Sequence, residues 1–164
     1  MKTHVPWSEI HTACDNIARQ ATVIGVPDCI VAISRGGLIP ARLVAENLNI
    51  KHIYSFGLTS YNDDNKQQQI QIYQNPLRYI KKMKHKAALI VDEIADSGNT
   101  FKYLSKLWLK SDTGSSCSCI FSAMYVKEHC QMEPSIYHKK ITDKKWLVFP
   151  WEAKYWHNEK SHLD

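Results

Sequence analysis

Apolar positions along the chain switch between a helical rhythm and short unbroken runs. From Trp7 to Ala21, the residues Ile10, Cys14, Ile17 and Ala21 recur at steps of four, three and four. That spacing predicts one buried face of a helix, with Ser8 as its cap. Cys29 to Ser34 is a continuous run of strand length, broken by Arg35-Gly36-Gly37. Pro40 to Leu48 then reads as a helix with proline in its first turn, and His52 to Leu58 as a second strand. Thr59 to Gln69 is polar and lacks a core face, which predicts a mobile loop. Ile70 and Ile72 alternate weakly with Gln71 and Tyr73 as a hairpin-like return, and Asn75-Pro76 opens a further break. Ala87 to Val91 predicts a buried central strand. Thr100 to Leu109 predicts a helix with Phe101, Leu104, Leu107 and Trp108 inward, and Cys119 to Val126 another strand. Beyond Lys127 the pattern loses its period until Trp146-Leu147-Val148-Phe149-Pro150-Trp151. Strand, helix, strand, strand, helix, strand is the order of an α/β domain, with a mainly parallel central sheet flanked by helices.

Length and composition narrow this picture. A chain of 164 residues fits one domain with a core of useful size. No apolar run approaches the about 18 residues of a membrane span, and the segment after Met1 lacks the apolar stretch of a secretory signal. Cys14, Cys29, Cys117, Cys119 and Cys130 are odd in number and have no framework spacing. Cys117 and Cys119 stand too close for a usual zinc knuckle. Reduced thiols in a cytoplasmic protein are the expectation. The net charge of +5 gathers in Lys81, Lys82, Lys84 and Lys86 and in Lys139, Lys140, Lys144 and Lys145. Such clusters suit polyanionic ligands. With no RNA-binding aromatic motif beside them, a solvated surface is the default and no nucleic-acid partner is expected.

The chemistry concentrates in residues 88–101. Four apolar residues, Ala88 to Val91, lead into the carboxylates Asp92 and Glu93, then Ile94, Ala95, Asp96, Ser97, Gly98, Asn99 and Thr100. A buried strand entering a loop and then a helix places this segment at a carboxyl edge of the sheet, where ligands bind. Ser97 to Thr100 offer backbone N–H groups and hydroxyls at a helix N-terminus, suited to a phosphate. The acidic pair suits vicinal hydroxyls or a hydrated divalent cation. A ligand with phosphate at one end and a diol beside it is a ribose 5-phosphate. The plainer account is an ordinary strand followed by a helix capped by Asp96 or Ser97. Ser34-Arg35-Gly36-Gly37 ends the first strand, where glycines let backbone amides approach a ligand and Arg35 adds a fork matched to phosphate; taken alone, Arg-Gly-Gly reads as a plain turn, and pairing with 92–100 gives it the anion-site reading. Two anion sites flanking a diol are what 5-phosphoribosyl 1-pyrophosphate (PRPP) requires.

The 88–101 segment resembles the PRPP-binding signature of type I phosphoribosyltransferases. Ile33 to Pro40, Ser60 to Asn65, and Trp146 to Glu152 are similar, in the same order, to the bacterial xanthine-guanine phosphoribosyltransferases. The resemblance covers most of residues 5–152. It implies one domain: a core of about 5–127, a base-binding hood of about 128–152, and a tail over 153–164 whose His157 and His162 are not spaced as a metal pair. It implies Mg²⁺ held by Asp92 and Glu93, which also bind the ribose hydroxyls, and a PRPP site including Ser34, Arg35, Gly36, Gly37, Ala95, Asp96, Ser97, Gly98, Asn99 and Thr100. Asp96 is the implied catalytic acid–base group beside Asp92 and Glu93, with helix capping as its competing role. In that group a loop, here about 59–70, closes over PRPP and carries an arginine; this chain offers only Lys66 at that place. Lys127 is the implied contact to an exocyclic oxygen of the purine. Trp146 and Leu147 are the segment that packs on the purine, although Trp146 also reads as a core tryptophan. The implied activity is purine salvage: transfer of the 5-phosphoribosyl group from PRPP to xanthine, guanine or hypoxanthine, with release of pyrophosphate and a purine nucleotide, by a homodimer or homotetramer. Two alternatives stay open: a nucleotide-sensing regulator of the same fold that binds RNA, and a transferase acting on another base.

Overall fold

The computed structural model describes residues 2–61, 69–142 and 144–152. Lys66, most of the expected closing loop, and the 153–164 tail lie outside them. In chain order the elements are β1 Lys2–His4, α1 Trp7–Ile24, β2 Cys29–Ser34, α2 Leu38–Asn47, β3 Ile53–Tyr61, β4 Gln69–Gln74, α3 Leu77–Lys82, β5 Ala87–Ala95, α4 Asn99–Lys110, β6 Ser118–Lys127, β7 Ile136–Ile141 and β8 Trp146–Val148. Six strands form one sheet in the order β4-β3-β2-β5-β6-β7. Every neighbouring pair is parallel except β3 and β4. This is the expected α/β architecture with a mainly parallel sheet.

The apolar runs are continuous because both faces of the central strands are covered. Ile30, Ala32, Leu89 and Val91 pack under α1 and α2, while Cys29, Val31, Ile33, Ala88 and Ile90 pack under α3 and α4. Helix α1 buries Ile10, Cys14, Ile17 and Ala21, as their spacing predicts, together with Ala13 and Ala18. Its N-cap is Pro6 rather than Ser8; the Ser8 carbonyl instead accepts the Thr12 hydroxyl at 3.0 Å. In α4, Phe101, Leu104 and Trp108 are buried, and Leu107 packs at the margin of the same core.

Four local expectations give way to tertiary context. Thr59 to Tyr61 extend β3, and Gln69 opens β4, so the ends of the polar segment pair as an antiparallel ribbon. Helix α3 follows Asn75-Pro76 directly; it is too short to show a period, yet buries Leu77 and Ile80. Strand β5 does not stop at Val91 but runs through Asp92 and Glu93 to Ala95, in register with β6 from Ala87↔Ser118 to Ala95↔Val126. Strand β7 lies where periodicity fades. It is a sheet edge that buries only Ile136 and Ile141 and exposes Lys139 and Lys140, the kind of lysine-bearing edge that discourages further pairing. Outside the main sheet, β1 pairs in parallel with β8 (Lys2↔Trp146 to His4↔Val148). The extreme N-terminus is thereby tied to the segment carrying Trp146 and Leu147.

Candidate active site

Three adjacent parallel strands deliver the predicted residues to one edge. Ser34 to Gly37 leave the carboxyl end of β2, Asp92 to Thr100 that of β5, and Lys127 ends β6. The loop after β2 begins with a cis peptide bond between Ser34 and Arg35. Gly36 is needed there: an added Cβ would lie 2.7 Å from Cγ of Glu93. Gly37 is equally confined, 2.7 Å from the Ile33 carbonyl oxygen by the same construction. Absence of side chains therefore lets the β2 loop lie directly against Glu93 and the β5 backbone at Val91. Ser34 turns the other way, its Oγ donating to the Phe56 carbonyl at 3.0 Å and sitting 3.3 Å from the Tyr73 hydroxyl.

The acidic pair is held as strand residues, and burial dominates its electrostatics. The Asp92 carboxyl is pushed well above the usual range by burial; the Glu93 N–H, donated to its Oδ1 at 2.8 Å, pulls the other way. Glu93 is raised from 4.5 to about 7, again by burial first. The Trp151 indole N–H, donated to Oε2 of Glu93 at 3.0 Å, lowers it, Glu152 raises it and Arg35 lowers it. Asp96 is exposed, with Oδ1 at 3.2 Å from Nε2 of His129. It does not cap the helix, and neither does Ser97: the N-cap is Gly98, with φ of +81°. Oγ of Ser97 accepts the Asn99 N–H at 3.3 Å. A Cβ at Gly98 would meet the backbone N of Met132 at 2.6 Å, and Gln131 N–H donates to the Ser97 carbonyl at 3.0 Å. The loop that starts α4 is thus braced from behind by residues 131 and 132.

A cavity of about 390 Å³ opens beside these loops, lined by Glu93, Ile94, Asp96, Lys127, Lys144, Lys145, Trp146, Leu147, Phe149 and Glu152. It brings Lys127, Trp146, Leu147, Asp96 and Glu93 together, and leaves Ser34 to Gly37, Asp92 and Ser97 to Thr100 outside its wall. Lys127 is 8 % exposed, and its Nζ donates to the Lys145 carbonyl. Trp146 is 58 % exposed, which excludes the core reading of that residue. Phe149, in the wall, stacks on Trp151 at 5.0 Å with planes 2° apart, and Trp7 of α1 lies 5.9 Å from Trp151. Oε2 of Glu152 accepts the Phe149 N–H at 2.8 Å. The basic clusters are partly absorbed: Lys144 and Lys145 line the cavity, and Lys140 pairs with Glu133 at 2.6 Å. Sequence reasoning assigned no role to Trp151, Glu152, His129 or Met132. The first two lie within the family-like segment 146–152, whereas the others carry no local signal.

Residues 6–157 match the phosphoribosyl transferase domain family. A xanthine-guanine phosphoribosyltransferase of Idiomarina loihiensis is 27% identical, over 90% of this chain and 85% of its own. A Neisseria gonorrhoeae protein of known structure, solved with bound ppGpp, is 26% identical with a TM-score of 0.78, covering 99% of this chain and 97% of that one. The Helicobacter pylori xanthine-guanine-hypoxanthine phosphoribosyltransferase shares the fold at 21% identity, with a TM-score of 0.76 over 99% of this chain and 100% of that one. No helix among the described residues is long and apolar enough to cross a membrane.

Proposed function

We propose that this chain, which belongs to the phosphoribosyl transferase domain family, is a purine salvage enzyme that moves the 5-phosphoribosyl group from PRPP to a 6-oxopurine and releases pyrophosphate. The observation that carries the base assignment is Lys127, a nearly buried lysine at the wall of a cavity shared with Trp146, Leu147 and Asp96, its Nζ donating to the Lys145 carbonyl. An ammonium has only donors. It pairs with the 6-oxo group of xanthine, guanine or hypoxanthine and opposes the 6-amino group of adenine. Trp146 and Leu147 then cover the ring.

PRPP lies along the loops next to that cavity. The N–H groups of Ser97 to Thr100, at the start of α4, hold the 5-phosphate. Arg35 and the amides of Gly36 and Gly37 hold the pyrophosphate. Asp92 and Glu93 bind the ribose hydroxyls between them. Bond breaking at the anomeric carbon leads bond making, so the two carboxylates oppose the positive charge growing on the ribose. Asp96 accepts the proton leaving the purine imidazole, with His129 holding its carboxylate. Mg²⁺ fits the donor set: Asp92 and Glu93 are hard oxygen ligands whose burial without a cation drives them toward protonation. When bound, Mg²⁺ supplies charge that neutralises the departing pyrophosphate.

The direct test is pyrophosphate release from PRPP and Mg²⁺ with a panel of free bases. Release with xanthine, guanine or hypoxanthine, and little with adenine or pyrimidines, is the expected result. Release that ignores the base offered, or prefers a pyrimidine, overturns the reading. A second ligand class, guanine nucleotides bearing pyrophosphate, suits the same two ends, and the ppGpp held by the Neisseria neighbour favours it. Binding there shows as inhibition by ppGpp that is competitive with PRPP.

A further inference from the structure

At the opposite edge of the sheet from the cavity, three potential ligands of different chemistry converge. Asp28 precedes β2, Cys29 is its first residue, and His85 sits in the turn before β5. One ligand atom from each lies within 4.8 Å of the other two. Nothing in phosphoribosyl transfer uses them. We propose that Asp28, Cys29 and His85 form a binding site for a borderline-soft divalent cation of the zinc class, separate from the Asp92/Glu93 site.

The donor set is one thiolate, one imidazole and one carboxylate, which suits zinc and poorly suits Mg²⁺. Both ring nitrogens of His85 are committed in a compatible way. Nδ1 is 3.4 Å from Oδ1 of Asp28, and Nε2 is 2.9 Å from the Tyr54 hydroxyl. With Nδ1 ligating, Nε2–H donates to that hydroxyl, the outer contact that fixes tautomer and ring plane in metal-bound histidines. His52 packs edge-on against the same ring, with centroids 4.9 Å apart. The carboxylate is oriented too: Oδ2 of Asp28 accepts the Lys86 N–H at 2.8 Å, and Oδ1, on the side of His85, accepts the Ala87 N–H in a longer bond of 3.3 Å. Cys29 is buried, and its Sγ makes a weak contact at 3.9 Å with the Ala87 carbonyl. Asp28 is 44% exposed at its side chain while His85 is 7% exposed. The cluster therefore has an outlet to solvent on one side, open to ion entry and to a water as fourth ligand. Binding transfers the Cys29 thiol proton to solvent and forms the metal–sulfur bond.

Cobalt(II) titration of the chelator-treated, full-length protein tests this, because a sulfur-to-cobalt charge-transfer band reports thiolate ligation and the all-oxygen Asp92/Glu93 pair cannot produce one. The expected result is a band saturating at one equivalent, displaced by zinc, unaffected by excess Mg²⁺ and lost in Cys29→Ser. Tyr54→Phe, which removes only the outer contact, should weaken binding about 10–100-fold. His85→Gln gives a second variant should Cys29→Ser fail to fold; it should weaken cobalt binding at least tenfold while keeping the far-ultraviolet circular dichroism of the wild type. No sulfur band in the wild-type protein, a band that survives Cys29→Ser, or unchanged affinity in His85→Gln overturns the site. Each outcome is independent of whether the protein transfers a phosphoribosyl group.

Discussion

Lys127 ends its strand with a charge placed where little water reaches it, 8 % exposed. Adenine in that cavity sets the hydrogens of its 6-amino group against the ammonium, donor against donor, where an oxopurine offers lone pairs. Sites built around such a partner reject the mismatched analogue by about 10⁴ or more in kcat/KM. Adenine should be nearly inert, and Lys127→Ala should collapse activity on oxopurines far more than it weakens PRPP binding. Comparable kcat/KM for adenine and guanine in the wild-type protein would falsify the lysine assignment. Glu93 offers a pH signature. Its carboxyl is raised from 4.5 to about 7 in the fold, so between those values the folded protein holds more protons than the unfolded chain. That contribution to stability is fully present below about pH 4.5 and is lost as pH rises through about 7, at up to about 1.4 kcal/mol per pH unit. Metal-free wild type should thus lose melting temperature across that window relative to Glu93→Gln, and Mg²⁺ should restore it at the upper end; parallel melting profiles for the two proteins would refute the assignment. The double exchange Asp92→Asn with Glu93→Gln removes two like charges at nearly constant shape. Its melting temperature above pH 7 should hold or rise while turnover falls about 10²-fold or more.

At the scale of elements, the turn from β5 into α4 is shaped from outside itself. Gly98 sits at φ of +81° with the Met132 backbone N 2.6 Å from where a Cβ would be. Gly98→Val therefore damages the fold as well as the turn proposed to hold the 5-phosphate. The left-handed backbone alone costs about 1–2 kcal/mol, and displacement of residue 132 adds to it, so melting temperature and PRPP affinity should drop together. Ser97→Ala and Thr100→Ala remove single hydroxyls from a site built on backbone donors and should each cost about 1–2 kcal/mol in PRPP affinity by calorimetry. Unchanged stability in Gly98→Val would show that the 131–132 segment does not brace this loop. The link between Trp151 and Glu93 couples the segment 146–152 to the end of β5. Trp151→Phe keeps a ring for stacking on Phe149 but deletes the N–H that favours ionised Glu93. The pH at which activity rises should move upward in that variant, and an unmoved profile would argue against a role for this contact.

Over the whole molecule, the first and last described segments hold each other. Strand β1 is three residues long, and its pairing with β8 spans nearly the full chain. Val5 N–H adds a bond to the Val148 carbonyl at 2.9 Å. Removing residues 1–4 should leave the six-stranded sheet intact but loosen the segment that carries Trp146 and Leu147. The KM for the purine should then rise several-fold while PRPP affinity changes little; a reversed pattern would place the support of the 146–152 segment elsewhere.

How much of this was legible in the chain follows from range. Cys29 to Ser34, Ala87 to Val91 and the α1 and α4 faces were readable because both-sided burial and helical spacing are local properties of side-chain order. The turn from β5 into α4 was readable as well, since a helix start and its glycine lie within a few residues. The extension of β5 through Asp92 and Glu93 was not: two charges look like a strand's end unless the partner β6 is known to continue, apolar, to Val126. Strand β7 hid for a similar reason, as an edge strand needs few apolar residues and this one buries two. The brace of Met132 on Gly98, the Trp151 bond to Glu93, the β1–β8 pairing and the Asp28–Cys29–His85 convergence join residues far apart in sequence. Chain order alone determined which chemistry is present and on which kind of element. Only the packing of those elements decided which groups lose water, meet, and shift one another's charge.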